Sequence, residues 1–140
     1  MLKFGKRSIE KLNQTKVQLQ EIAKYALNLG LMDFSIIEGM RTKEVQDKYY
    51  NSGKSKVKWP NSKHNVKHVG ELSCAFDAVP YVGGKISWNK YHCSVLGGII
   101  LASAKTLGYT IRWGGNWDMD NEPITDQSFQ DLVHFELYVK

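Results

Sequence analysis

Apolar residues recur every three to four positions in two parts of the chain, which is typical of the buried face of an amphipathic helix. The first run begins after residues 15–18, where Thr and Gln have the spacing of a capping box, and it ends at Gly30. The second run covers residues 91–107 and ends at Gly108. We predict a helix in each run, and the paired glycines 97–98 favour close packing of the second helix on a sheet.

Short apolar or alternating runs predict five strands. These runs are residues 34–37, 75–82, 85–88, 109–113 and 135–139. Gly83 and Gly84 separate the second run from the third, as in a tight hairpin turn. Asp77 lies within the second run, between Phe76 and Ala78. A carboxylate in this position would be buried, and a buried charge requires a partner or a metal ion.

Two shorter helices and two polar loops complete the pattern. Residues 8–12 are compatible with a short helix, and Thr42 is placed to cap a helix that runs to Tyr50. Residues 52–67 and 114–128 are polar and read as loops. The order of elements predicts an α+β fold, with a small antiparallel sheet flanked by helices. The length predicts one domain over residues 1–140.

The composition is that of an ordinary globular domain, with 42% hydrophobic and 24% charged residues. A net charge of +5 favours an anionic partner. The loop 52–67 is basic and is either a solvated surface or a binding surface. No secretion signal is visible, and the most apolar stretch, residues 95–104, is too short to cross a bilayer. We therefore expect neither a signal peptide nor stable membrane insertion.

The two cysteines allow several interpretations. Without a signal peptide, Cys74 and Cys93 are expected to be reduced thiols, and a disulfide is the less favoured alternative. A zinc site built from these cysteines and His92 is conceivable, but no Cys-x-x-Cys pair supports it.

Two distant segments carry the residue types of a catalytic metal site. His64, Asp77 and His134 provide the two imidazoles and one carboxylate of a three-ligand zinc site with a fourth position for water. Asp131 is then the expected general base. The ligands can converge only if the strands that carry Asp77 and His134 are neighbours. Because residues three apart on a straight strand face opposite sides, Asp131 is expected in the turn before the last strand.

Less specific interpretations remain open for the same residues. Most histidines are surface or hydrogen-bonded residues, and Asp131 with His134 could be a simple hydrogen-bonded pair. The loop 116–122 offers alternating oxygen ligands for a calcium ion. It lacks the full calcium-loop pattern, so a solvated loop is favoured there.

Seven segments, in the same order, resemble zinc peptidases of the D-alanyl-D-alanine carboxypeptidase and dipeptidase superfamily. Within that superfamily the chain is most similar to phage endolysins that cleave the L-alanyl-D-glutamate bond of peptidoglycan. The matching segments are residues 4–8, 33–42, 52–55, 61–64, 76–81, 113–117 and 131–137.

The resemblance implies specific roles. His64, Asp77 and His134 become Zn²⁺ ligands, Asp131 the catalytic base, and Arg41 the group that binds the substrate carboxylate or the developing oxyanion. It also implies that Ser62 supports the first ligand and the substrate by hydrogen bonding. Twelve residues separate His64 from Asp77, more than is common in the family, which leaves His68 as a rival ligand.

The implied function is hydrolysis of the peptidoglycan stem peptide during host lysis. We expect a monomer that binds no nucleic acid, and, because no signal peptide is visible, one that accumulates in the host cytoplasm before it acts on the cell wall. Two alternatives stay open at this point. One is a D-alanyl-D-alanine carboxypeptidase or dipeptidase, and the other is a basic binding module without catalysis.

Overall fold

The computed structural model describes residues 1–139. It confirms the predicted α+β fold, with four helices and a five-stranded antiparallel sheet. In chain order the elements are α1 Lys6–Leu12, α2 Val17–Asn28, β1 Phe34–Glu38, α3 Lys43–Asn51, β2 Ala75–Val82, β3 Lys85–Ile86, α4 Lys90–Leu107, β4 Ile111–Gly114 and β5 Asp131–Leu137. None of the helices within residues 1–139 has both the length and the apolar character needed to span a bilayer.

The core lies between one face of the sheet and helices α2 and α4. Side chains at helical spacing on α2 are buried, as the apolar periodicity predicts. Phe76 and Phe135, on neighbouring strands, are fully buried in the same cluster. Because side chains alternate across a strand, Asp77 and His134 face the opposite side of the sheet. Burial of the apolar face therefore determines which side of the sheet presents polar groups.

Helix α4 packs closely on the sheet at Gly97. A Cβ atom added there would lie 2.5 Å from the indole ring of Trp113, whereas Gly98 faces open space. The predicted close approach is thus correct for the first glycine of the pair only. Gly108 ends the helix in the left-handed conformation, with φ of 83°.

The strand order is β1-β2-β5-β4, and β3 pairs with β2 through the predicted hairpin. Strands β2 and β5 are neighbours, and Asp77 lies directly opposite His134. This pairing confirms the expectation that the two strands are adjacent. It brings together residues that are far apart in sequence.

Two local expectations were wrong. Thr15 does not cap α2, because its hydroxyl donates to the Leu12 carbonyl at 2.6 Å and the N-cap residue is Lys16. Asp131 does not lie in a turn, because it is the first residue of β5 and pairs with Gly114. The pairing slips between Trp113 and Gly114. This irregularity breaks the alternation along β5, so the straight-strand argument does not apply to Asp131.

Candidate metal site and active site

Three side chains converge on the polar face of the sheet. His64 Nε2 lies 3.0 Å from Asp77 Oδ1 and 3.2 Å from His134 Nδ1, and the third distance, between His134 Nδ1 and Asp77 Oδ1, is 3.4 Å. All three residues are buried. The structure therefore brings together the predicted trio, and this group could hold a metal ion.

Each histidine is oriented by a hydrogen bond on its other ring nitrogen. His64 Nδ1 lies 2.7 Å from the Gly39 carbonyl oxygen. Because a carbonyl oxygen can only accept a hydrogen bond, Nδ1 carries the proton and donates it. His134 Nε2 is 2.8 Å from Glu136 Oε1, so an N–H there donates to the carboxylate. In the neutral tautomers that these bonds select, both remaining nitrogens direct a lone pair at the centre of the trio.

The electrostatics of the trio favour a positive charge at its centre. Burial disfavours charge on His134, but hydrogen bonds to Asp77 and Glu136 outweigh it and raise the pKa of His134 to about 9. Burial alone would raise the pKa of Asp77, yet the neighbouring imidazoles hold it well below its ordinary range. The pKa of Glu136 is lowered because His134 and Arg112 outweigh its burial. A proton or a metal ion satisfies this arrangement.

Asp131 lines the same cavity as the trio. Burial and the nearby charge of Asp77 raise its pKa above the ordinary value. A carboxylate with a raised pKa is a better proton acceptor than an exposed one, which suits acid-base chemistry. Asp131 stands at the irregular start of β5, where the pairing with β4 slips.

Arg41 is fixed at the edge of the cavity. Its guanidinium forms two 2.9 Å hydrogen bonds with the carboxylate of Glu38 and one of 2.8 Å with Gln46 Oε1. Burial lowers the pKa of Arg41, but Glu38 outweighs this effect and raises it. These contacts use three of the five N–H donors of the side chain, so two remain for a ligand.

Ser62 and the backbone position the segment that carries His64. The Ser62 hydroxyl accepts from the backbone N–H of His64 at 3.3 Å, and the His64 carbonyl accepts from the backbone N–H of Arg41 at 2.8 Å. Ser62 also lines the cavity. The long connection before β2 is therefore tied to the β1–α3 junction at the site.

The cavity, called here the site cavity, has a volume of about 430 Å³. Besides the predicted residues, it is lined by side chains that the sequence interpretation did not assign to the site. They include Glu38, Tyr49, Lys54, Lys56, Lys63, Trp88, Arg112, Trp117, Phe129 and Glu136. The signal for Glu136 was its spacing of two from His134 on a strand, which places both on one face.

The other residues that the sequence offered for metal binding lie outside the trio. His68 is exposed and lies outside the trio. Cys74 and Cys93 are free thiols, and neither belongs to a possible metal group among residues 1–139. Near the calcium-like loop, three exposed carboxylates approach one another, those of Asp118, Asp120 and Asp126. Exposed acidic groups commonly do so without an ion.

Comparisons with known proteins identify the family of this chain. Residues 1–138 match the model of the phage L-alanyl-D-glutamate peptidase family. This chain belongs to that family. The L-alanyl-D-glutamate peptidase of Escherichia phage T5 is 33% identical over 121 residues, which cover 86% of this chain and 85% of the relative.

A solved structure shows the same architecture. The L-Ala D-Glu endopeptidase ChiX of Serratia marcescens superposes with a TM-score of 0.76 at 25% identity, covering 97% of this peptidase and 90% of that chain. As a member of the family, this peptidase is a hydrolase that degrades peptidoglycan. The trio, Asp131 and Arg41 all line the site cavity of this peptidase.

Proposed function

We propose that this chain is a zinc-dependent endolysin that hydrolyses the L-alanyl-D-glutamate bond of the peptidoglycan stem peptide during host lysis. His64, Asp77 and His134 are the metal ligands. The observation that carries the proposal is the buried triangle of two imidazole nitrogens and one carboxylate oxygen, with sides of 3.0, 3.2 and 3.4 Å. The names of the family and of its phage T5 member support the assignment of the cleaved bond.

The triangle fits zinc in both size and chemistry. Zinc binds nitrogen and oxygen ligands at about 2.0–2.2 Å, so two ligands of a tetrahedral site lie about 3.3–3.6 Å apart. The three distances in the trio are at or slightly below this range, and small outward movements of the side chains would match it. Two neutral histidines and one carboxylate are ligands that zinc accepts, and each histidine has the outer hydrogen bond that such ligands usually make.

Bound zinc would polarise a carbonyl and lower the pKa of water, so that hydrolysis proceeds at neutral pH. The chain's own residues handle the proton and the substrate. Asp131 accepts a proton from the attacking water and returns it to the leaving amine, which its raised pKa supports. The two remaining N–H donors of Arg41 hold the scissile carbonyl oxygen as negative charge develops there. Ser62 keeps the His64 segment in place through its hydrogen bond.

We further propose that residues 1–140 form one catalytic domain that works as a monomer. The family match over residues 1–138 supports a single unit. The phage origin of the family supports accumulation in the host cytoplasm before access to the wall. A net charge of +5 attracts the chain to an anionic envelope and would do so less at high salt.

Matched histidine variants test the metal ligands. We expect His64→Ala to lose stoichiometric zinc, measured by elemental analysis after dialysis, and to lose wall lysis. His68→Ala is the control, because His68 is exposed and lies outside the trio. Full lysis by His64→Ala, or loss of zinc in the His68 variant alone, would contradict the assignment.

The bond itself is tested by mass spectrometry of one digest of purified cell walls. A new N-terminal glutamate on the released peptides is the expected product. Released D-alanine would instead indicate the carboxypeptidase or dipeptidase alternative. If no cleavage and no bound zinc were found, a basic binding module would be the remaining interpretation.

A further inference from the structure

Three lysines of the loop 52–74, Lys54, Lys56 and Lys63, line the site cavity without an acidic partner, and only Lys54 and Lys56 lie over aromatic rings that line it as well. Lys54 and Lys56 follow α3 and border the same cavity as the metal trio. Within residues 1–139, no carboxylate forms an ion pair with either ammonium group. Their charges are therefore available to a ligand in the cavity.

The two arginines of the cavity are already compensated. Arg41 pairs with both oxygens of Glu38 at 2.9 Å, and Arg112 pairs with Glu136 at 3.0 Å. An arginine that is neutralised in this way still donates hydrogen bonds, but it offers little net charge to an anion. A negatively charged ligand is thus attracted mainly to the lysine side of the cavity.

Aromatic rings hold both ammonium groups in place. Lys54 Nζ lies 4.1 Å from the ring centroid of Tyr49, and Lys56 Nζ lies 4.7 Å from that of Phe129. Both rings also line the cavity. Such contacts restrict long, flexible side chains before a ligand arrives, which lowers the entropy cost of binding.

The substrate carries a negative charge close to the scissile bond. In the stem peptide, D-glutamate continues the chain through its side-chain carboxyl group, so its α-carboxylate is free unless it is amidated. That carboxylate is attached to the same carbon as the scissile nitrogen. A peptide whose scissile bond lies at the metal trio therefore carries an anion within the site cavity.

We propose that Lys54 and Lys56 bind the free α-carboxylate of the substrate D-glutamate and so select non-amidated stem peptides. This inference rests on the proposed function. In this arrangement the two lysines bind the carboxylate, and Arg41 binds the scissile carbonyl oxygen. A separate wall polymer is a poorer candidate, because both lysines border the catalytic cavity itself.

The test compares two synthetic muramyl peptides that differ only in the D-glutamate α-group, carboxylate against amide. The zinc-loaded parent is expected to cleave the carboxylate peptide with the higher kcat/KM. In the Lys54→Gln/Lys56→Gln double variant, we expect the preference to fall about tenfold, as for loss of charge-assisted hydrogen bonds. Lys58→Gln is the control, because Lys58 lies over Tyr50 and does not line the cavity.

Each outcome has a distinct meaning. A parent that cuts neither peptide contradicts the proposed function. A parent that cuts both equally, or a double variant that loses the same factor on both peptides, overturns the lysine inference and leaves the proposed function intact. An equal loss of preference in the Lys58 variant also overturns it, since a general charge effect would then explain the result. Circular dichroism confirms that the variants are folded.

Discussion

Glu136 offers the sharpest test of how the proposed metal site is held. It is 4% exposed, and its two carboxylate oxygens serve different donors. Oε1 accepts from His134 at 2.8 Å and Oε2 accepts from Arg112 at 3.0 Å. The substitution Glu136→Gln keeps the shape of the side chain but replaces one acceptor with an NH₂ group. One of the two donors must then face another donor.

The size of the effect follows from the role of these contacts. A hydrogen-bonded carboxylate fixes the tautomer of a ligating histidine and raises its basicity, and loss of such a partner typically weakens metal binding 10- to 100-fold. This corresponds to about 1.4–2.8 kcal/mol. We therefore expect Glu136→Gln to bind zinc about 10- to 100-fold more weakly than the parent and to regain much of its activity when zinc is added in excess.

Competition with a chromophoric zinc chelator measures this affinity directly. Glu10→Gln is the matched control, because Glu10 is exposed on α1 and its substitution removes the same charge. An affinity within twofold of the parent would refute the reasoning. So would an equal loss in the Glu10 variant, since the effect would then come from net charge and not from the contact with His134.

The remaining predictions concern stability. Gly97→Ala should destabilise the fold by about 1–3 kcal/mol, because its Cβ would overlap the Trp113 ring, whereas Gly98→Ala should stabilise it by about 0.5–1 kcal/mol. Urea denaturation measures both, and equal effects would contradict the packing. When zinc has been removed with a chelator, the raised pKa of His134 contributes stability below about pH 6.5, and this stability is lost as pH rises through about 9. The lowered pKa of Asp77 contributes stability that is lost on acidification. The melting temperature should therefore fall between pH 6.5 and 9. A melting temperature that does not change with pH would contradict the link between the pKa of His134 and stability.

The helices, the hairpin and the type of chemistry are predictable from local sequence patterns. Apolar periodicity identifies the buried face of α2, and the glycines after it and after α4 mark the ends of those helices. Asp77 is predictable as a buried carboxylate because the residues on both sides of it in the strand are apolar, and the structure confirms that it is buried. These features depend on neighbours along the chain, so local patterns are sufficient to predict them.

The assembly of the site depends on contacts between segments that are distant in sequence. The pairing of β2 with β5 places Asp77 opposite His134, and the slip in the β4–β5 register places Asp131 within β5 instead of a turn. Contacts with Glu38 and Glu136 decide how much charge Arg41 and Arg112 present to the cavity. These features depend on register and on contacts between distant segments, which no local pattern encodes, because a shift of one residue would exchange the two faces of a strand.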